Sequence, residues 1–198
     1  FPDGIGMVYG HMANASFSSM VAPTAKFVEN LGDIFPEYFP YWFVDHWTDD
    51  LAKLIGRLAF ADVTTDQSRA GKTQELREPA WWATWYDAAY LMRRQIARQI
   101  IDSPDFDTPS WLKDVLKSNA PLIDHRSRWI NDNVRANAKA LEGMSRLSLS
   151  DPRYQRVRQK AVAMVPQLLE GMSVDEAAAY KHVLLPPTSV VGLRRAFA

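Results

Sequence analysis

The sequence predicts an all-α protein, an irregular multi-helix bundle with an extended N-terminal arm and a C-terminal tail. Three observations support this prediction. Apolar residues recur every three or four positions, Pro, Ser and Asp lie where helices would begin, and no alternating strand pattern is comparably strong. The 198 residues suit one domain, which we divide into an arm (1–25), a helical domain (26–185) and a tail (186–198).

The first two helices are predicted on either side of an aromatic segment at 38–47. Helical signals begin at Pro23 and continue to Phe35, where a proline follows and ends the helix. A second helix is predicted from about 45 to 61. Its apolar face consists of Leu51, Leu54, Ile55 and Leu58.

The longest clear helix is predicted from Pro79 to about residue 101, after a polar loop at 62–74. Pro79 suits the first helical position because its missing N–H would have no partner there. The second half of this helix carries arginines, which the negative end of the helix dipole favours. The apolar stripe consists of Trp81, Trp85, Ala88, Met92 and Ile96.

Four further helices are predicted in the C-terminal half. They cover 110–118, 121–146, a segment that begins at Pro152, and 174–183. Asp151 and Ser173 each precede a helix and suit its N-cap, where a side-chain oxygen accepts from a backbone N–H. We expect Pro166 to kink or split the helix that begins at Pro152.

Composition favours a protein partner over nucleic acid. The formal net charge is zero, whereas phosphate binding usually needs a strongly basic domain. The charge is divided, because residues 1–87 carry a balance of −6 and residues 88–198 one of +6. There is no cysteine, which excludes disulfides, thiolate metal sites and cysteine nucleophiles.

An uncharged stretch at 4–25 is the most unusual segment of the chain. It is rich in small residues and methionine, and Gly6 and Gly10 form a GxxxG pair. Such a pair lets two helices approach closely in a bilayer, so membrane insertion is one interpretation. We favour the other, an extended arm that lies in the groove of a partner.

Aromatic and basic residues indicate a partner or lipid interface, although filling of the core is the alternative for the aromatic ones. Trp is enriched at protein interfaces and at membrane surfaces, and the chain contains seven. Arginines after an aromatic helix half would meet acidic protein or lipid headgroups. The predicted interface residues are Gly6, Gly10, Tyr41, Trp42, Trp81, Trp82, Trp85, Arg93, Arg94, Arg153, Arg156 and Lys160.

Histidines provide the only candidates for a metal or haem site. His46 and Asp50 lie one helical turn apart and share a face, which suits a metal ion. His125 follows Asp124 and, like His46, is a candidate haem ligand. Capping and local hydrogen bonding are the commoner uses of such residues. No cofactor and no catalytic residue is predicted, because no nucleophile motif is present and Ala70–Thr73 lacks the first glycine of a phosphate loop.

These observations predict a non-catalytic structural or accessory subunit of a large, membrane-associated complex, with other protein subunits as partners and lipid contact as an addition. A complex of the mitochondrial inner membrane would account for the tryptophans and for a leader processed at Phe1. Two alternatives remain open. The chain is then a haem- or metal-binding helical enzyme or sensor, or a peripheral membrane or granule-coating protein.

Overall fold

A computed structural model describes residues 1–11, 21–32, 36–39, 42–64, 77–145 and 147–185. This part of the chain is mostly helical and carries one small sheet. The strands are β1 (Met7–His11), β2 (Val21–Pro23) and β3 (Leu58–Thr64). The helices are α1 (Ala25–Leu31), α2 (Val44–Leu54), α3 (Pro79–Ala88), α4 (Tyr90–Asp102), α5 (Ser110–Ser118), α6 (Ala120–Ala136), α7 (Ala138–Met144), α8 (Pro152–Leu169) and α9 (Val174–Leu184).

The sheet corrects the all-α prediction. Its order is β2–β1–β3, with β1 antiparallel to β2 and parallel to β3. Met7 pairs with Pro23 on one side and with Leu58 on the other. The helix predicted to reach residue 61 ends at Leu54, because the chain turns at Gly56 (φ 64°) and continues as a strand. Leu58 fits the apolar spacing of a helix as well as its place in the strand, which is why the sequence pattern predicted a helix through this residue.

The predicted extended arm is wrong for the residues that the structure describes. Ile5 and Met7 are fully buried, and β1 and β2 are strands of the sheet. The glycines serve close packing within this chain, since a Cβ on Gly6 would meet the Phe1 ring at 2.5 Å and one on Gly10 the Val63 carbonyl oxygen at 2.6 Å. The helix–helix interpretation of this pair is therefore wrong.

In the ranges that the structure describes, no helix is both long and apolar enough to span a bilayer. Residues 12–20 of the predicted arm and residues 186–198 of the predicted tail lie outside those ranges.

Helix caps in the C-terminal half are confirmed. The Asp151 carboxylate accepts from the backbone N–H of Arg153 at 2.8 Å, and the Ser173 hydroxyl accepts from that of Glu176 at 3.3 Å. Helix α5 has the predicted bounds. Helix α8 runs through Pro166 without the predicted split.

Two predicted long helices are each divided in two. The helix predicted from Pro79 divides at Ala89, whose ψ is 8°. At this point the Arg93 guanidinium donates to the Tyr86 carbonyl oxygen at 2.7 Å, so a side chain competes for a backbone acceptor. The helix predicted from residue 121 divides in a similar way at Asn137, whose side chain donates to the Asn133 carbonyl oxygen.

Candidate functional site

Tryptophans of α3 form the centre of the core and do not face a partner or lipid. Trp82 and Trp85 are fully buried, and Trp81 is nearly so. Their indole N–H groups donate respectively to the Tyr154 hydroxyl at 3.3 Å, to the Ala161 carbonyl oxygen at 2.8 Å and to that of Leu184 at 3.3 Å. The interface prediction for these three residues is therefore wrong. Most residues of α3 are apolar and buried, and α6, α8 and α9 pack around the helix.

The aromatic segment 38–47 meets α3 inside the same core. Phe39 lies 5.4 Å from both Trp47 and Trp85, measured between ring centroids, and Phe43 stacks on Tyr86 at 5.4 Å. Such ring pairs stabilise a core by more than their buried area alone. Among the predicted interface residues of this segment, Trp42 is half-buried against the core and Tyr41 lies outside the described residues.

Beneath this aromatic layer lies a cluster of buried charges at the junction of α2, α4 and α6. Arg93 is 1% exposed, so its predicted place at an interface is wrong. Its guanidinium lies 3.7 Å from the Asp50 carboxylate, 3.8 Å from that of Asp124 and 4.2 Å above the Tyr86 ring. Two buried carboxylates thus share one buried cation.

Hydrogen bonds complete this buried charge cluster. The Asp50 carboxylate accepts from the Tyr86 hydroxyl at 2.7 Å and from the Ser127 hydroxyl. At the rim, Arg94 binds the Asp124 carboxylate at 2.6 Å, while Arg126 lies 3.2 Å from the carboxylate of the neighbouring Asp49. Arg94 is one-quarter exposed, and its guanidinium is bound to Asp124. Little of this side chain is therefore accessible to the predicted interface.

Burial and neighbouring charges set the protonation states in this cluster. Burial raises the pKa of Asp124, although Arg93 and Arg94 pull it down. Burial and the nearby Asp50 raise the pKa of Tyr86 well above its ordinary value. The phenol therefore stays protonated and donates to Asp50. The cluster joins three helices through matched charges, an arrangement that specifies how they pack.

The structure does not bring the predicted metal and haem ligands together in one site. Burial lowers the pKa of His46, which keeps its ring neutral at pH 7. Asp50, its expected co-ligand, is occupied by Tyr86 and Ser127, and His125 is exposed on α6. Across the described ranges no group of three or more His, Asp or Glu side chains is suited to a metal ion. The metal and haem assignments stay predictions.

The predicted basic interface on α8 is on the surface. Arg153, Arg156 and Lys160 are all exposed. Arg153 binds its own helix cap, Asp151, at 3.0 Å, and Lys160 pairs with Glu37. Exposed pairs of this kind contribute little to stability, so these side chains can turn to another molecule.

Strand β3 is a feature that the sequence analysis missed. It pairs with β1 on one side only within the described sheet. Phe60 is 50% exposed and touches the Tyr9 ring edge-on, and Val63 is 56% exposed. None of residues 58–63 is buried, although only Asp62 among them is charged. The run of apolar residues after Gly56 could have indicated this strand.

The largest exposed side chains of α5 and α6 were also missed. Trp111 is 66% exposed, Leu122 68% and Trp129 59%. Together with Val115, Ser118 and His125 they follow the alternating four and three of a helix-pairing seam. That spacing is visible in the sequence and could have found them.

Comparison with known proteins gives no relative for this chain. No protein-family model, no curated protein and no solved structure matches it.

Proposed function

We propose that this chain is a non-catalytic structural or accessory subunit, and that another polypeptide adds a strand to its sheet along β3. The observation that carries the proposal is the exposure of β3, where residues 58–63 are mostly apolar and none is buried. Strands in parallel pairs are otherwise covered on both faces, because the connections between them place helices there. A parallel edge strand with side chains this exposed favours a sheet that continues into another molecule.

The two edges of the sheet differ in how readily they accept a strand. Strand β2 has three residues and ends at Pro23, and short strands and proline both discourage pairing at an edge. Strand β3 has seven residues and no proline, and Asp62 is its one charged residue. Addition of a strand is therefore favoured at β3.

The exposed side chains of β3 define what the added strand must bring with it. Phe60 and Val63 are both exposed, and between Phe60 and Thr64 the register of β3 against β1 is irregular. A partner that covers both side chains must supply apolar residues as well as the strand. Backbone hydrogen bonds would give affinity and the apolar residues specificity, as in strand addition generally.

The charge of the chain supports a place within an assembly. Zero net charge provides little electrostatic repulsion between copies in solution, which suits a chain that is held in an assembly. Exposed cations of α8, including Arg156 and Lys160, extend the surface open to acidic protein or lipid. A mitochondrial inner-membrane complex stays our proposal for the assembly.

Site-specific photo-crosslinking tests the role of β3. A photoreactive phenylalanine derivative is placed at Phe60 in the full chain, which is produced in the cells that make it naturally. Val174, which is 85% exposed on α9, receives the same group in a matched control. We expect one discrete heterologous adduct from position 60 and none from position 174.

Three outcomes would overturn the proposal. The first is an absence of adducts at position 60, the second is the same set of adducts at both positions, and the third is an adduct that contains this chain alone. Mass spectrometry of the adduct distinguishes them and identifies the added strand.

A further inference from the structure

Helices α5 and α6 carry exposed residues at the spacing of a helix-pairing seam. These residues are separated by four, three, four, three and four residues, the spacing that keeps side chains on one side of paired helices. Asn119 joins the helices with a right-handed helical backbone (φ −83°, ψ −7°), and three of the residues lie on each side of it. The α5–α6 stripe consists of Trp111, Val115, Ser118, Leu122, His125 and Trp129, all exposed.

The opposite face of these helices packs against the core of this chain. Leu116 and Ile123 are partly buried against the core cluster, and Ile130 is buried. Leu116 also lies close to Gly56, where an added Cβ would approach its Cδ2 to 2.6 Å. The α5–α6 stripe is therefore a second apolar face, which the fold of the single chain does not use.

The α5–α6 stripe supplies about half of the area that a stable interface needs. With side chains of roughly 150–250 Å² for each Trp, exposures of 66% and 59% leave roughly 200–300 Å² on Trp111 and Trp129 together. Leu122 and Val115 raise the apolar patch to roughly 400 Å², within the range that is often functional on a monomer. A stable interface needs about 800 Å² from each partner, so the polar residues that flank the stripe must supply the other half.

The order of residues in the stripe is self-complementary. When two copies of the stripe run antiparallel and cross near Asn119, Trp111 faces Trp129 of the second copy and Ser118 faces Leu122. Asp114 and Arg128 flank the stripe on the same side, and in this arrangement they face each other across the pair. Asp114 is exposed, and Arg128 is 48% exposed and lies 3.6 Å from Glu176 of α9 in its own chain. Exposed pairs of this kind are weak, so Arg128 can exchange Glu176 for Asp114 of the second copy.

We propose that the α5–α6 stripe is a two-fold interface between two copies of this chain. The proposal goes beyond the strand addition at β3 and uses a different surface. Each copy contributes the same residues, as a closed two-fold dimer requires. The mixed charges that flank the stripe suit a second copy better than an anionic lipid surface.

Sedimentation equilibrium over a range of protein concentrations tests this dimer. We expect the wild-type chain to approach twice the mass of one chain as its concentration rises. The double variant Trp111→Ser/Trp129→Ser should stay monomeric at every concentration. Val174→Ser removes an exposed apolar side chain elsewhere and should leave the dimer unchanged. Far-UV circular dichroism checks that each variant is folded.

Charge reversal provides an independent readout. Asp114→Arg should weaken the dimer about tenfold by placing like charges together. Arg128→Asp should weaken it too, and the double reversal should restore it. A wild-type monomer at all concentrations, or a dimer that survives the double tryptophan change, would overturn the proposal. Binding to vesicles of anionic phospholipid that the double tryptophan variant loses, without a wild-type dimer, would instead assign the stripe to lipid. Crosslinking at Phe60 is independent of all these outcomes.

Discussion

Helix α3 and the α5–α6 stripe both carry tryptophans at helical spacing, but they use them in opposite ways. In α3 the indole rings are buried and their N–H groups are hydrogen-bonded. In the stripe, Trp111 and Trp129 are more than half exposed. The difference shows that spacing identifies an apolar face but not what covers it. Enclosure by α6, α8 and α9 makes the first set structural, whereas the second set remains available for binding.

The largest contrast is expected from removing one tryptophan of each kind. Trp85→Ala should lower the free energy of unfolding by about 3–5 kcal/mol, because it leaves a cavity and removes the indole hydrogen bond to the Ala161 carbonyl oxygen. Trp129→Ala should change it by no more than about 0.5 kcal/mol. Urea denaturation at a concentration where the chain is monomeric measures both. Equal losses would contradict the division between core and surface.

The buried charge cluster provides a second contrast, within one helix. Arg93→Met should lower the free energy of unfolding by about 3–5 kcal/mol, since it leaves Asp50 and Asp124 buried without their shared cation. Arg98→Met, on an exposed position of the same helix, should cost about 0.5 kcal/mol or less. Urea denaturation of the two variants compares them directly. A small loss for Arg93→Met would show that the cluster does not organise the helices.

A smaller effect is expected from the Tyr86 hydroxyl, and it depends on pH. Burial and Asp50 raise the pKa of Tyr86 in the folded chain well above its unfolded value. Unfolding therefore releases a proton at alkaline pH, and stability falls as the pH rises above about 10. Tyr86→Phe should cost roughly 1–3 kcal/mol at neutral pH through the lost hydrogen bond and should flatten the alkaline decline.

Thermal unfolding between neutral and alkaline pH measures that decline. The pKa of Tyr90 is also raised, by burial and by Glu176, but its side chain is only half-buried, so Tyr90→Phe should flatten the curve less. An unchanged slope in Tyr86→Phe would show that this phenol titrates normally in the folded chain.

Local signals predicted the C-terminal helices, and non-local contacts decided what the sequence could not reveal. A cap such as Ser173 acts within three residues of itself, so its pattern is complete in the sequence. The pairing of Met7 with Leu58 joins residues about fifty positions apart, and Leu58 also fits a helical stripe. Arg93 resembled a surface arginine because Asp50 and Asp124, which enclose it, are distant in sequence.

The candidate surfaces show the same division. The tryptophans of α3 that were proposed for binding are buried once the helices pack, and only the packed fold reveals this. Trp111 and Trp129 follow a seam that the sequence displays, but their exposure depends on which face of α5 and α6 meets the core. Strand β3 could not be recognised as an edge before β1 was known to be its one neighbour among the described strands.

Hydrogen exchange of the β3 backbone amides tests most directly whether another polypeptide completes the sheet. The purified chain is compared with the same chain in the assembly isolated from its native cells, and mass spectrometry follows peptides that cover residues 58–64. We predict that the amides facing away from β1 exchange rapidly in the purified chain and at least about a hundredfold more slowly in the assembly. Equal exchange in the two samples would contradict the account.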